Sequence, residues 1–346
     1  MQNDIWTYLS EQTKPILLYG MGNGADEIIS QLKTKNKHIS GVFASENFVR
    51  GQFFRGFEVL TYEKAKKIFK NFIVLTAFGT TDETVINNIK SIAEEQELYV
   101  VDVPVYGNTV FTKEFFKDNE NNAAIIRSSL SDARSKQVFD AVTQFKLTGD
   151  RKLLKLAEDE EHSVYKELLH FRNNCTIFDL GAYVGDTAEK FASLFPAYSK
   201  IVAVEPDTKN YKRLLKNTED NEKIFCENAA ISYLDGEMFF GNEGGRNQSI
   251  DIGTNTTKTV TIDSLCKKYG APDFIKFDIE GQELNGIIGG EKTIIQHKPI
   301  LMISAYHRSE DIFSIPMKIL SLRSDYKIHI RHFPCIPCWD TYYFFT

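Results

Sequence analysis

Residues 176–187 combine the residue types of a cofactor-binding loop. A short apolar run ends at Asp179, and Gly181 and Gly185 then precede an amphipathic stretch, which is the order strand, tight turn, helix. In a doubly wound α/β sheet the ligand lies across the carboxyl ends of the strands, so this loop is expected to face it. The two glycines allow the backbone to approach that ligand closely.

The carboxylate of Asp179 separates two classes of cofactor. A dinucleotide would place its pyrophosphate over the glycine turn, where a carboxylate two residues before the first glycine adds repulsion. S-adenosylmethionine has no phosphate, and a carboxylate at the strand end can accept a charge-assisted hydrogen bond from its α-ammonium. A second apolar run ends in Glu205, 26 residues after Asp179, where an acceptor for the ribose diol is expected. The alternative is that Asp179 caps a turn and Glu205 is a solvated strand end.

Four further polar residues follow later apolar runs. Asp278 and Glu280 come after one run, His307 after the next, and His332 after a third. If these strands are parallel, all four side chains meet at one edge of the sheet. Methyl transfer from the sulfonium of such a cofactor must align donor and acceptor and, for a protonated acceptor, remove one proton. We predict that His307 is the general base, because its ordinary pKa of about 6.5 suits neutral pH, and that Asp278 orients the acceptor hydroxyl or the cofactor amine.

Metal binding is the rival use of these side chains. Asp278, Glu280 and His307 could hold Mg²⁺ or another divalent ion that chelates the acceptor and lowers its pKa. A second set of metal-ligand residue types, running from His329 to Cys338, is not predicted to bind zinc, because His329 and His332 would point to opposite faces of a strand. The main prediction therefore contains no metal.

The ordered set of motifs resembles the FkbM-type S-adenosylmethionine-dependent methyltransferases. The resemblance covers about residues 168–346 and includes, besides the segments above, Asn228-Ala229-Ala230-Ile231 and Ile303-Ser304-Ala305-Tyr306-His307. It implies a class I methyltransferase-like doubly wound sheet with an antiparallel last strand, and O-methylation, often of sugars in polysaccharide or antibiotic pathways. The predicted cofactor contacts are Asp179, Gly181, Ala182, Gly185, Glu205, Asn228, Ala229 and Asp278. The predicted catalytic residues are His307, Asp278 and Glu280.

Length and composition point to a soluble protein with more than one domain. The chain has 346 residues, of which 42% are hydrophobic and 25% charged, and the net charge is −6. A general nucleic-acid surface is therefore not expected. No apolar run is long enough to span a membrane, so we predict a cytoplasmic protein whose partner is a small-molecule or glycan acceptor.

The region before the methyltransferase-like domain carries its own glycine loop. Residues 20–25 have the pattern G-x-G-x-x-A after an apolar run, and strands and helices alternate to about residue 110. We predict a small Rossmann-like α/β domain at 1–110, a helical connector at 111–169, and the methyltransferase domain at 170–346. The first domain could hold a nucleotide or serve in homo-oligomer formation. A nucleotide-binding regulator or oxidoreductase with a non-catalytic second domain is the alternative function.

A Gly- and Asn-rich stretch at 241–249 is expected to form a mobile lid or acceptor-binding loop.

Overall fold

The first hundred residues form an α/β unit around a six-stranded sheet. The structure is a computed structural model that describes residues 3–240 and 255–346, so the predicted lid at 241–249 lies outside the described residues. The strand order is β3-β4-β2-β1-β5-β6, and every pair is parallel except β3 with β4. The elements are α1 (Ile5–Glu11), β1 (Ile16–Tyr19), α2 (Asn23–Thr34), β2 (Gly41–Ala44), a 3-10 turn (Glu46–Phe48), β3 (Phe53–Phe54), β4 (Phe57–Thr61), α3 (Tyr62–Phe69), β5 (Ile73–Thr76), α4 (Glu83–Glu95) and β6 (Glu97–Val100).

The central strands of this sheet are buried on both faces. All four residues of β1, β2 and β5 are buried, as expected for parallel strands covered by helices on each side. The predicted Rossmann-like α/β architecture of this region is thus observed.

Five helices connect the first sheet to the second. They are α5 (Lys113–Asp118), α6 (Glu120–Ser129), α7 (Ala133–Thr148), α8 (Arg151–Ala157) and α9 (Glu161–Leu168). Helix α7 begins where Asp132 accepts a hydrogen bond from the Ser135 N–H, and it ends at Gly149 in the left-handed conformation. Its one fully buried lysine, Lys146, forms an ion pair of 2.9 Å with Asp102, which follows β6. This helix therefore fastens the connecting segment to the first unit.

The second sheet has the strand order β15-β16-β14-β13-β7-β8-β9. Strand β16 is antiparallel to both neighbours and the other pairs are parallel, which confirms the predicted class I methyltransferase fold with an antiparallel last strand. A separate small sheet has the strand order β10-β12-β11. The helices and strands of this second unit are β7 (Thr176–Leu180), α10 (Asp186–Leu194), β8 (Lys200–Val204), α11 (Thr208–Asn217), β9 (Ile224–Glu227), β10 (Ala230–Ile231), β11 (Gly236–Phe240), β12 (Asn255–Val260), α12 (Ile262–Tyr269), β13 (Phe274–Phe277), α13 (Glu283–Gly289), α14 (Glu291–His297), β14 (Ile300–Ser304), α15 (Asp311–Leu322), β15 (Ile328–His332) and β16 (Thr341–Phe345).

The side of β7 on which successive strands are added to this sheet changes between β9 and β13. From β7 the chain moves outward through β8 to β9, whereas β13 and β14 lie on the other side of β7. Such a switch point leaves a crevice at the carboxyl ends of the two central strands, which is where doubly wound sheets bind ligands. No helix within the described residues is long and apolar enough to cross a membrane.

Candidate active site

A cavity of about 1340 Å³ lies where the carboxyl ends of both sheets face each other. From the second sheet it is lined by residues that follow β7, β8, β13 and β14, among them Gly181, Glu205, Asp278 and His307. From the first sheet it is lined by residues that follow β1, β5 and β6. The two glycine loops that were identified in the sequence therefore open into one space rather than into two separate pockets.

Gly181 is required by the close approach of two loops at the switch point. Its φ is +79°, and a Cβ atom there would lie 1.9 Å from the carbonyl oxygen of Asp278. The N–H groups of Gly181 and Ala182 both donate to the carbonyl of Val204 at 3.0 Å, which ties the loop to the end of β8. Gly181 lines the cavity, whereas Ala182 and Gly185 are buried behind it.

Asp179 lies beneath the cavity and is paired with a lysine. Its Oδ1 accepts a hydrogen bond of 3.1 Å from Lys276 Nζ, which also donates to the carbonyl of Gly181. Burial raises the pKa of Asp179, and the neighbouring Lys276 opposes that rise. Lys276 reaches the cavity, whereas the Asp179 side chain is fully buried and its Oδ2 has no hydrogen-bond partner among the described residues. A contact between this oxygen and a cofactor ammonium stays a prediction.

Lys276 itself was missed by sequence reasoning. The only signal available was a charged residue inside an otherwise apolar strand, Phe274-Ile275-Lys276-Phe277. A buried lysine must be paired, and the register of β13 with β7 places it directly beside Asp179.

Glu205 is positioned at the cavity wall by two backbone hydrogen bonds. The N–H of Tyr183 donates to Oε2 and the N–H of Asp207 donates to Oε1, each at 2.9 Å. Burial raises the pKa of Glu205 to about 7, although both hydrogen bonds act in the opposite direction. Each carboxylate oxygen still has a lone pair for a further donor such as a ribose hydroxyl.

Asn228 and Ala229 do not line the cavity. The amide of Asn228 donates to the carbonyls of Glu205 and Pro206 at 2.9 and 3.1 Å, so it positions the turn after β8. Ala229 is buried, and the next two residues, Ala230 and Ile231, form this part of the wall. The predicted cofactor contacts of Asn228 and Ala229 stay predictions.

The structure brings Asp278, Glu280 and His307 together, as expected from the strand ends. His307 Nε2 lies 3.5 Å from Asp278 Oδ1 and 3.5 Å from Glu280 Oε2. Asp278 also accepts hydrogen bonds from the hydroxyls of Tyr306 at 2.8 Å and Tyr342 at 3.2 Å. Glu280 has a φ of +56°, a strained conformation for a non-glycine residue that is often found at functional sites.

A buried glutamate changes the expected protonation of His307. Glu283 Oε1 lies 3.0 Å from His307 Nδ1, and its side chain is completely inaccessible to solvent. Burial lowers the pKa of His307, but Glu283, together with Glu280 and Asp278, outweighs burial and raises that pKa to about 10. His307 is therefore a cation at neutral pH. A histidine that acts as a general base must be neutral, so this charge state does not favour the predicted base role of His307.

His332 does not belong to this cluster, although its strand ends at the same edge of the sheet, as predicted. It is fully buried, its Nδ1 lies 3.0 Å from the hydroxyl of Thr341, and burial lowers its pKa to about 3. Strand β15 is the edge strand, and β16 and β14 separate it from β13. Within residues 3–240 and 255–346, no three His, Cys, Asp or Glu side chains are arranged to hold a metal ion.

Comparisons with known proteins bear on the fold and on residues 179–328. Residues 179–328 match the family model of the methyltransferase FkbM domain. The crystal structure of methyltransferase FkbM from Methylobacillus flagellatus KT superposes with a TM-score of 0.75 at 20% identity, over 99% of this chain and 94% of that chain. The precorrin-6y C5,15-methyltransferase from Geobacter metallireducens GS-15 matches only at a TM-score of 0.34, with 12% identity over 55% of this chain and 91% of its own.

No curated protein matches the sequence significantly. The match with the Methylobacillus protein extends through the first sheet, so the two-sheet architecture is shared over the whole chain. Residues 179–328, which carry the crevice at the switch point and the cluster around His307, therefore match the methyltransferase FkbM domain in sequence, within a fold that is shared with the Methylobacillus protein.

Proposed function

We propose that this protein transfers a methyl group from S-adenosylmethionine to a hydroxyl group of a sugar or sugar-containing acceptor. The observation that carries the proposal is one cavity in a domain that matches the methyltransferase FkbM domain, where Gly181 and Glu205 on one side face Asp278, Glu280 and His307 on the other. A cofactor loop and a set of proton acceptors at one switch point supply the two requirements of methyl transfer, which are alignment and proton removal.

The residues around the crevice fit this cofactor. The loop of Gly181 and Tyr183 offers close backbone approach, and Glu205 is held by two N–H groups with lone pairs remaining for a ribose diol. When bound, the cofactor supplies an electrophilic methyl group on a sulfonium. Asp186 and Asp207 also line this side of the cavity, and their carboxylates suit a positively charged cofactor better than a pyrophosphate.

Glu280 is the better placed base for the acceptor hydroxyl. Each carboxylate oxygen of Asp278 already accepts a hydrogen bond from a tyrosine hydroxyl, Oδ1 from Tyr306 and Oδ2 from Tyr342. About half of the Glu280 side chain is exposed to the cavity, and the burial of the rest raises its pKa, although a hydrogen bond with Tyr106 acts in the opposite direction. The hydroxyl proton therefore passes to Glu280 as the oxygen attacks. The His307 imidazolium stays protonated, and its charge, with Nε2 at 3.5 Å from each carboxylate, holds Asp278 and Glu280 in place.

Calorimetry with S-adenosylhomocysteine and with NADH tests the cofactor. We expect S-adenosylhomocysteine to bind, and binding of NADH alone would contradict the proposal. Turnover is then measured with labelled S-adenosylmethionine against a panel of glycosides.

In that assay Glu280→Gln should lower the turnover rate about a hundredfold or more, the usual contribution of a positioned base, with unchanged S-adenosylhomocysteine affinity. Glu291→Gln is the matched control, because Glu291 pairs with Lys318 on the protein surface. Full turnover in Glu280→Gln would remove Glu280 from this role. Loss of activity in EDTA would instead support the metal alternative.

A further inference from the structure

The cavity has a second wall that the methyltransferase domain does not supply. We define the N-terminal wall as residues 21–27, 76–82 and 100–107, which bring the carboxyl ends of β1, β5 and β6 to the cavity. We propose that this wall binds the acceptor, and that the acceptor is an uncharged or cationic polyhydroxyl compound rather than a phosphorylated or nucleotide-linked one. The proposal rests on the proposed function and names the substrate class of the same site.

The size of the cavity leaves room for a second molecule beside the cofactor. Its volume of about 1340 Å³ exceeds the roughly 300–1,000 Å³ of a pocket for one drug-sized ligand. Gly181 and Glu205 account for the cofactor side. The space that remains in front of Glu280 is bounded by the N-terminal wall, so a hydroxyl that reaches Glu280 must lie against it.

The N-terminal wall is fixed in place over the catalytic cluster. The N–H groups of Val105 and Tyr106 both donate to the carbonyl of His307, at 2.9 and 3.0 Å. On another side of the cavity, Thr80 and Ile336 exchange a pair of backbone hydrogen bonds of 2.7 and 3.0 Å. The ring of Trp339 packs so closely on Gly79 that a Cβ there would lie 2.1 Å from it. These contacts make the first unit a structural part of the methyl-transfer site.

The charge of the cavity argues against a phosphate group. Eight carboxylates and three bases line it, so acids remain in excess even though the pKa values of Glu205 and Asp340 are raised by burial to about 7 and 6. Two of the bases, Lys276 and His307, are already paired with buried carboxylates. A phosphate or pyrophosphate would meet net repulsion in this space.

The first turn of α2 does not reverse this conclusion. The free N–H groups at a helix N-terminus attract anions, and Asn23 and Gly24 do line the cavity. However, Asp26 and Glu27 follow immediately, and Glu27 lines the cavity itself. The glycine loop therefore lacks the electrostatic setting that a dinucleotide needs, whereas the amide of Asn23 and the hydroxyl of Thr81 suit acceptor hydroxyl groups.

Ligand-detected NMR on protein saturated with S-adenosylhomocysteine tests the proposal without requiring turnover. The probes are the methyl glycosides of glucose, galactose and mannose, the matching 2-amino sugars, their 6-phosphates and their UDP- or GDP-linked forms. We expect saturation transfer to neutral or amino members and none to the phosphorylated and nucleotide-linked members.

Two neighbouring threonines, one before helix α4 and one within it, provide the matched variants. Thr81 is exposed and lines the cavity, whereas Thr84 is exposed on the first turn of α4 and does not. Thr81→Trp should weaken sugar binding about tenfold or more by filling the space beside the wall, while Thr84→Trp should leave it unchanged. S-adenosylhomocysteine affinity should be the same in both.

Three outcomes would overturn the proposal: stronger binding of phosphorylated or nucleotide-linked probes, binding of no probe, or normal sugar binding by Thr81→Trp. Failure to bind S-adenosylhomocysteine would instead contradict the proposed function. The sugar titrations would still report on the N-terminal wall, so the two failures are distinguishable.

Discussion

The pairing of Glu283 with His307 is the feature of the site that a single substitution tests most directly. Glu283→Gln keeps the shape of the side chain and its bonds to the hydroxyl of Ser304 and the N–H of Ile279, each 3.0 Å long. It removes the negative charge 3.0 Å from His307 Nδ1. The variant therefore isolates the charge of Glu283 from its packing.

The cost follows from the burial of the pair. Removing one partner of a buried ion pair destabilises a protein by about 3–5 kcal/mol. His307 can reduce this penalty by losing its proton, although Glu280 and Asp278 continue to favour its charged form. We expect Glu283→Gln to lower the free energy of unfolding at pH 7 by roughly 4 kcal/mol on the same grounds.

Urea unfolding and NMR titration of the His307 ring measure the two consequences. Because the folded pKa of His307 lies above its ordinary value of about 6.5, wild-type stability from this pair is complete below pH 6.5 and is lost as pH rises towards 10. In Glu283→Gln this loss should shrink, and the ring should titrate at a lower pH.

The control is Glu291→Gln, which breaks a partly exposed pair with Lys318 and should cost only about 0–1 kcal/mol. Equal destabilisation by the two variants would refute the reasoning. So would a His307 that keeps its high pKa without Glu283.

Three further outcomes are expected. Glu205→Gln should weaken S-adenosylhomocysteine binding about tenfold in calorimetry, and unchanged affinity would place the ribose elsewhere. Gly181→Ala should lower the free energy of unfolding in urea by about 3 kcal/mol or more, because the new Cβ would clash with the Asp278 carbonyl oxygen. The control Gly51→Ala, at a φ of +71° with no atom nearby, should cost about 1–2 kcal/mol. Equal losses in the two variants would contradict the clash. Burial lowers the folded pKa of His332 to about 3, so its contribution to stability is lost as pH falls from about 6.5 towards 3. His332→Asn should therefore flatten the fall in melting temperature over that range. An unaltered slope would argue against a buried neutral His332.

The turn at Gly181 and the fold class could be predicted from the sequence because they depend on local order. An apolar run that ends in Asp179, followed by Gly181, already specifies a strand and a tight turn, and the close approach of Gly181 to Asp278 explains why glycine stands there. The same logic placed Asp278, Glu280 and His307 at one edge, since the carboxyl ends of parallel strands coincide.

The rule of coinciding strand ends predicts which edge of the sheet a residue occupies, but not which residues are neighbours along that edge. His332 also ends a strand, but that strand lies at the edge beyond the antiparallel β16, and its side chain is buried against Thr341. The order of strands in a sheet depends on long-range pairing, which a local apolar pattern does not record.

The sequence by itself determined which residue types stand at the strand ends, and hence the cofactor class that we predict. Only the tertiary structure decided their ionisation and the shape of the site. Lys276 meets Asp179 from 97 residues away and Glu283 meets His307 from 24 residues away. The N-terminal wall likewise closes the cavity from another sheet. Burial and ion pairing act through distance in space, so the protonation of His307 and the net charge presented to an acceptor exist only once the chain has folded.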